Sequence, residues 1–402
     1  MPRRRSLAYS PLPALLLASA GALPVFRFAT DGDAIGDHRR FGHEMGRRFA
    51  DTIRVRFAMS DGLAQMLLQV NTPDGRALYD AFVAEHDRLA PLAMAELRGI
   101  ADGASIPFEH VFLQNIPLEY ADCYARRGAG ARTAPRRRLA ARGAASRSDH
   151  CSDWARCSDT ECFIGHNEDN GRESLNCTAL VKASFGRGEA ARSFTAYTYL
   201  GELPSGAFGF NSHGIGFTLN WLGPTDVQCP GLGRGFISRA MLDASTLDGA
   251  RALAASAAQS AGHNYQLFDA TARKIVHIEA APAGLYAARP VGETALFHAN
   301  QYILLDIPQV IGNSSAHRTA RAKQMVPPLT PADVLVALGD QHDAAYPMFH
   351  DEDSHRAGDL SDWTIASALF DLRRGMMRVY WGNPAKGAAV MAEERLVDER
   401  RH

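Results

Sequence analysis

Cys151 opens a segment in which reactive side chains crowd together. Between Ser148 and Gly171 the sequence places Cys151, Cys157 and Cys162, His150 and His166, and six acids, among them Glu168 and Asp169. Two strand-like runs, CSDWARC and CFIGHNED, flank Ser158-Asp159-Thr160-Glu161, a cluster of turn-forming types, and predict a β-hairpin. With the turn centred on Asp159–Thr160, paired positions sum to 319 or 320, and Cys151 falls opposite Glu168 or Asp169. Directly opposed residues stand about 4.5–5.5 Å apart at Cβ. The hairpin therefore brings a thiol and a carboxylate together at its open end.

A thiol attacks as the thiolate and needs a base. The papain arrangement, a cysteine on a helix served by a distant histidine, does not suit a cysteine that begins a strand after a loop. A different activation does. If the peptide bond before Cys151 is cut, the new α-amino group, with a reference pKa of about 7.7–8.0, can take a proton at neutral pH. The abrupt start of the reactive segment is then the start of a new chain. The bland alternative is a buried structural thiol, a common fate of free cysteine. His166 is a candidate for lining the substrate pocket, against a half-exposed strand histidine. His166, Glu168 and Asp169 also raise a metal site; alternation puts His166 and Glu168 on one face and leaves no third strong ligand in register, so no metal is expected.

Elements that position this segment can be read on either side of it. Residues 38–60 carry Phe41, Met45, Phe49 and Ile53 at helical spacing, 76–103 predict one or two helices broken near Pro91, and another helix is expected from Phe108 towards Tyr120. Beyond Cys151, strands are expected at 179–185, 193–200, 206–210 and 215–221, then helices near 236–260. A hairpin follows in NYQLFDATARKIVHIEA, with strands in GLYAARPV and ALFHANQYI, helices at 315–326 and 331–339, and strands in TIASALFDL and MMRVYWG. Helices, many strands, helices and strands again imply a layered α+β domain. The divisions expected are 1–23 as an N-terminal extension or signal peptide, 24–150 as a helical segment ending in an Arg/Ala-rich loop at 124–150, and 151–402 as the core.

Composition sets the limits. At 402 residues, 46% hydrophobic and 22% charged, the chain can bury a sizeable core. A formal net charge of −1 gives no global attraction to nucleic acid. The eight arginines between Arg126 and Arg147 come without aromatic partners and read as a solvated loop rather than a polyanion-binding arm. No segment approaches the ~18 apolar residues of a membrane span. The basic start and the apolar run Leu12–Ala18 resemble a signal peptide, leaving the compartment as cytoplasmic or secreted. Among six cysteines the CxxC spacing of zinc ribbons is absent, a disulfide framework is not the default at this length, and Cys157, Cys162 and Cys177 are expected as structural thiols.

Five pieces in order resemble a known family: Cys151-Ser152-Asp153, GHNEDN at 165–170, NSHGIGFTLN at 211–220, HANQYI at 298–303 and NSSAHRTAR at 313–321. The chain is similar to the cysteine N-terminal nucleophile (Ntn) hydrolases of the acyl-coenzyme A:6-aminopenicillanic acid acyltransferase family, which includes insect β-alanyl-amine hydrolases, with choloylglycine hydrolases as more distant relatives. The resemblance runs from about residue 24 to about 390. It implies a four-layer αββα sandwich and a precursor that cleaves itself between His150 and Cys151. Cys151 then matches the nucleophile, Asp169 the carboxylate that orients the new α-amino group, Asn220 an oxyanion-hole asparagine at the end of its strand, Asn300 a second asparagine in the H-x-N strand, and Arg318 an arginine near the active-site carboxylate. The residue before the nucleophile is usually glycine in these acyltransferases and is His150 here, which makes a non-catalytic Ntn-like ligand binder the alternative. The partners implied are a small amide or acyl donor, with a coenzyme A thioester as the alternative donor, with no cofactor and with the cleaved chains staying associated. GHNED resembles the hydrolase branch, so hydrolysis of N-acyl or β-alanyl amines is expected ahead of acyl transfer.

Overall fold

The computed structural model describes residues 22–129, 151–188 and 191–397. All but the last two residues of the expected N-terminal extension, all but the first residues of the arginine-rich tract, and His150 lie outside these. The N-terminal segment is a short strand followed by helices: β1 (Val25–Thr30), α1 (Ile35–Arg48), α2 (Ala50–Met59), α3 (Asp61–Val70), α4 (Pro73–Leu89), α5 (Pro91–Ala104), α6 (Phe108–Gln114) and α7 (Pro117–Ala129). Local chemistry sets several boundaries. The Ser60 hydroxyl accepts from Leu63 N and starts α3, and the Thr72 hydroxyl accepts from Gly75 N ahead of Pro73 at the first position of α4.

After Cys151 the chain builds strands β2 (Ser152–Cys157), β3 (Cys162–Asn170), β4 (Thr178–Phe185), β5 (Arg192–Tyr199), β6 (Phe208–Asn211) and β7 (Ile215–Leu222), then helices α8 (Arg234–Met241) and α9 (Leu247–Ala254). Strands β8 (Gly262–Asp269), β9 (Lys274–Ala281), β10 (Leu285–Pro290) and β11 (Leu296–His298) follow, then helices α10 (Asn313–Ala322), α11 (Pro331–Leu338) and α12 (Glu352–Ala357). The closing strands are β12 (Trp363–Asp371), β13 (Met376–Trp381) and β14 (Ala389–Arg395). One sheet has eight strands in the order β1-β4-β5-β6-β7-β8-β9-β10, and the other has six in the order β11-β2-β3-β12-β13-β14.

Three buried clusters stack these elements into four layers. Phe41, Phe82, Leu97, Phe112 and Phe236 of the helices pack on Val181, Phe194, Phe217 and Tyr265 of the larger sheet. The opposite face of that sheet, with Leu180, Tyr197, Phe208 and Phe268, meets Ala155, Ile164, Ala368 and Phe370 of the smaller sheet. Trp154, Phe163 and Leu369 on the outer face of the smaller sheet pack under Val334, Ala337 and Leu338 of α11. The order is helix, sheet, sheet, helix: the α+β, αββα sandwich expected from the resemblance. Gly165 is what lets α11 lie so close, because a Cβ there would stand 2.6 Å from Val334 Cγ2.

The structure corrects several expectations. Residues 38–60 form two helices, separated at Phe49, whose φ of −116° leaves the helical range. The expected helix from Phe108 to Tyr120 is also two, α6 and α7, divided by Pro117, which cannot donate into a continuing helix. The start of the expected loop at 124–150 belongs to α7, which runs to Ala129. The strand expected in ALFHANQYI ends at His298, so Asn300 lies beyond it. Cys157 is joined to Cys162, and Cys123 to Cys229, as disulfides; Cys151 and Cys177 are free and buried. Gly165→Val should cost about 1–3 kcal/mol through overpacking against α11, read as a lower midpoint in urea unfolding.

Candidate active site

The hairpin register is the one in which paired positions sum to 319, with Ser152 opposite Asn167, Asp153 opposite His166 and Cys157 opposite Cys162. The same register carries Cys151, the residue before β2, to the end of β3, where two neighbouring carboxylates meet it from opposite faces. The Cys151 thiol donates to Glu168 Oε2 at 3.5 Å. The Cys151 backbone N–H donates to Asp169 Oδ2 at 3.2 Å. Cys151 is only 4% exposed and holds a φ of +71°, a left-handed conformation that β-carbons disfavour.

Behind Glu168 a line of polar groups runs between the sheets. Glu168 Oε2 faces His166 Nε2 at 2.9 Å, and its Oε1 accepts from the Tyr199 hydroxyl at 2.7 Å. The other ring nitrogen of His166 is 2.8 Å from Asp153 Oδ1. Asp153 accepts in turn from Thr218 Oγ1 at 2.9 Å and from Asn220 Nδ2 at 2.7 Å. All of these side chains are buried. Burial opposes charge on His166, but the Asp153 carboxylate, and after it the Cys151 thiol and the Glu168 carboxylate, outweigh it and hold its pKa well above the usual histidine value. Burial, and then the Glu168 carboxylate beside it, push the Cys151 thiol up to about 12.

The other face carries different partners. Asp169 Oδ1 accepts from Thr364 Oγ1 at 2.6 Å, while His350 Nε2 lies 3.8 Å from its Oδ2 and is itself anchored to Asp359 through Nδ1. Arg318 is fully buried. It donates to the Cys151 carbonyl at 2.5 Å, Ser152 Oγ at 2.7 Å, Asn300 Oδ1 at 2.8 Å and Ser314 Oγ at 3.0 Å. None of these four partners is a carboxylate; Arg318 grips the backbone of the nucleophile, whose nitrogen donates to the Asp169 carboxylate. Asn300 Nδ2 donates to Trp221 O at 3.0 Å. Asn220 Nδ2, besides its bond to Asp153, approaches Asn264 Oδ1 at 3.3 Å and His298 Nδ1 at 3.2 Å.

The sequence thus placed Cys151, Asp169, Asn300 and Arg318 in one cluster, and Asn220 within its hydrogen-bond network. His166, expected to line a substrate pocket, is instead fully buried with both nitrogens on carboxylates. The residues it missed are Asp153, Thr218, Tyr199 and Thr364. Asp153 had a signal: the pairing sum of 319 sets it opposite His166, and alternation gives it the face of Ala155, which packs between the sheets. The others come from strands far away in sequence and had none.

Two triads among the described residues bring possible metal-ligating atoms within 4.8 Å of one another: Cys151, His166 and Glu168, and His277, Glu279 and His298. Neither has a metal-binding hydrogen-bond pattern. His166 has no free nitrogen, and Asp169, the third residue suggested by the sequence, turns to the opposite face. In the second triad Nδ1 of His277 faces the amide nitrogens of Asn264 and Gln266, and Nδ1 of His298 faces that of Asn220. These donors leave the ring protons on Nε2, aimed at Glu279 Oε1 at 3.5 and 3.4 Å. A metal-ligating histidine donates from its other nitrogen instead. Glu279 also accepts the backbone N–H groups of Ile303, Leu304 and Leu305. Although burial opposes it, these donors and the two histidines hold its carboxyl below the usual range. The triad is a structural anchor for the segment that carries Asn300.

His166 gives the site a pH signature. A raised folded pKa means that its stabilisation is complete below the unfolded value of about 6.5 and is lost as pH rises through the folded value. The stability difference between wild type and His166→Gln should be flat below pH 6 and shrink in alkaline solution, as measured by denaturant titration across pH.

The chain is similar to known proteins. The model of the acyl-coenzyme A:6-aminopenicillanic acid acyl-transferase family matches residues 155–386, which contain Asp169, Asn220, Asn300 and Arg318 and begin four residues after Cys151. A β-alanyl-dopamine/carcinine hydrolase of Drosophila melanogaster is 25% identical over 374 residues, covering 87% of this chain and 92% of that one. The structure of penicillin V acylase from Agrobacterium tumefaciens aligns with 57% of this chain and 82% of its own, at 13% identity and a TM-score of 0.32. With the family model matching more than half of its length, the chain belongs to the acyl-coenzyme A:6-aminopenicillanic acid acyl-transferase family.

Proposed function

We propose that the protein is a self-processing Ntn amidohydrolase in which Cys151, freed as an N-terminus by cleavage after His150, attacks the carbonyl of a small aminoacyl or acyl amide. The observation that carries this reading is the placement of Cys151: a free thiol at the start of a strand, with a left-handed φ, its nitrogen on Asp169 and its carbonyl on Arg318. In the cut chain the α-amino nitrogen takes the thiol proton, Asp169 orients that amine, and the thiolate forms the acyl-enzyme that water then releases. The amides of Asn220 and Asn300 are the candidate oxyanion donors. Taking up that role requires Asn300 to exchange its bond to Trp221 O, or Asn220 its longer contacts to Asn264 and His298, for the substrate oxygen. The likeness to a β-alanyl-dopamine/carcinine hydrolase over nearly its full length favours hydrolysis of an aminoacyl amine over transfer from a coenzyme A thioester.

The competing reading, an Ntn-like binding scaffold that no longer cuts itself, draws on His150 in place of glycine. It calls for an uncut chain whose Cys151 is inert to acyl electrophiles in the folded protein.

Cleavage would leave the pieces joined, because the Cys123–Cys229 disulfide links a residue before the cut to one after it. That pairing, with Cys157–Cys162, fits an oxidising compartment and the secreted alternative. Intact mass under reducing, denaturing conditions should show two chains, the larger beginning Cys-Ser-Asp-Trp. Without reductant the two should run as one species, and Cys151→Ala should remain a single chain and lose all amide hydrolysis. A single uncut wild-type chain would contradict the proposal.

A further inference from the structure

Self-cleavage poses a chemical problem that turnover does not. Until the bond before Cys151 is broken, its nitrogen is an amide and cannot serve as a base. Some other group has to accept the thiol proton in the first step. We propose that Glu168 is that group: the proton acceptor for self-cleavage, held in place by His166, Asp153 and Tyr199, and separate from the α-amino group and Asp169 that serve the mature enzyme. This rests on the self-processing reading above.

The geometry selects Glu168 by elimination as well as by contact. Its Oε2 is the carboxylate oxygen that receives the thiol, at 3.5 Å. Asp169 has its Oδ2 on the Cys151 nitrogen and its Oδ1 on the Thr364 hydroxyl; its contact with the sulfur is through the backbone carbonyl, at 4.0 Å. His166 also lies within reach of the sulfur, but each of its ring nitrogens is already hydrogen-bonded to a carboxylate, at 2.8 and 2.9 Å, which leaves it to position Glu168 rather than to take the thiol proton. In the uncut chain no α-ammonium group stands beside the sulfur, and two anions 3.5 Å apart in a buried site repel strongly, so there the sulfur gains negative charge as Glu168 loses it. Moving the proton from Sγ to Glu168 Oε2 does this in one transfer. The imidazolium of His166 remains beside the new thiolate.

The step balances without any group from outside the protein except water. The thiol proton passes to Glu168, and the sulfur forms a bond to the carbonyl carbon of His150. The tetrahedral adduct collapses with rupture of the carbon–nitrogen bond, and the proton held by Glu168 goes to the departing nitrogen of Cys151. The product is a thioester between His150 and Cys151 Sγ, with a free α-amine. Water hydrolyses the thioester, restoring the thiol and leaving His150 with a carboxylate. Glu168 is returned to the state in which it began.

The test uses the full chain in three forms: wild type, Glu168→Gln, and Glu168→Gln with residues 144–150 replaced by the recognition sequence of a site-specific protease that leaves Cys151 first. General acid–base groups contribute about 10²–10⁴-fold in rate, so Glu168→Gln should slow self-cleavage at least ~100-fold by intact mass. Cutting the third form with the protease should make Cys151 reactive towards iodoacetamide at least as fast as in cut wild type, since the carboxylate that pushes the thiol up is gone, a reactivity that a misfolded variant would not show. Self-cleavage of Glu168→Gln at the wild-type rate overturns this inference alone. So does a protease-cut Glu168→Gln chain whose Cys151 stays unreactive, which would make Glu168 part of the mature site or of its architecture. An uncut wild-type chain overturns the self-processing reading and this inference with it.

Discussion

Everything around Cys151 depends on burying charge between two sheets. Asp153 and Glu168 lie on one face of the β2–β3 hairpin with His166 between them, and none of the three is appreciably exposed. Removing such charges from water costs several kcal/mol each and is offset only when geometry and further hydrogen bonds are good. The smaller sheet supplies the charges. The larger sheet supplies the neutral donors that complete them, Tyr199 to Glu168 and Thr218 and Asn220 to Asp153. The interface between the sheets is therefore apolar along Phe208, Phe268 and Phe370 and ionic at the end that holds the nucleophile. Deleting one member leaves a buried charge unpaired, which couples the alignment of the two sheets to the state of the site.

Strand alternation gives the nucleophile two separate environments. Glu168 and Asp169 are neighbours in sequence but emerge on opposite faces of β3, so one meets the Cys151 sulfur and the other its nitrogen. Arg318, delivered from the outer helical layer by α10, holds the carbonyl of the same residue and ties Asn300 to it. Sulfur, nitrogen and carbonyl oxygen of one cysteine are thus each assigned to a different element. A residue fixed at three points can keep a positive φ that the chain would otherwise relax. The Glu279 anchor extends the same logic outward, since it holds His298 and the backbone that follows Asn300.

Much of this was legible from local pattern. The turn at Asp159–Thr160 and the alternation on either side set the register, and the register set Cys151 against Glu168 and Asp169. The helical spacing before Pro91 and the turn residues between β8 and β9 were equally readable. What escaped were features decided over long separations. Strand β1 gains its place by pairing in parallel with β4, about 150 residues away, and nothing in its own six residues announces that. The Cys123–Cys229 bridge spans 106 residues, and a spacing of that kind carries no signal without the fold. The apolar neighbours of Asn300 predict a strand there, whereas the chain leaves the sheet two residues earlier. The strand pattern around His166 suggests a pocket residue, because its two carboxylate partners emerge only when the hairpin register and the face of Asp153 are combined.

The measurement that bears most directly on this account is the protonation of His166 in the folded protein, by nitrogen NMR of chain labelled at histidine and assigned with His166→Gln. A charged ring between two carboxylates predicts that both ring nitrogens carry protons at neutral pH and stay so well above pH 6.5. A neutral ring at pH 7, with one bare nitrogen, would contradict the ion chain on which the alignment of the sheets and the setting of Cys151 are built.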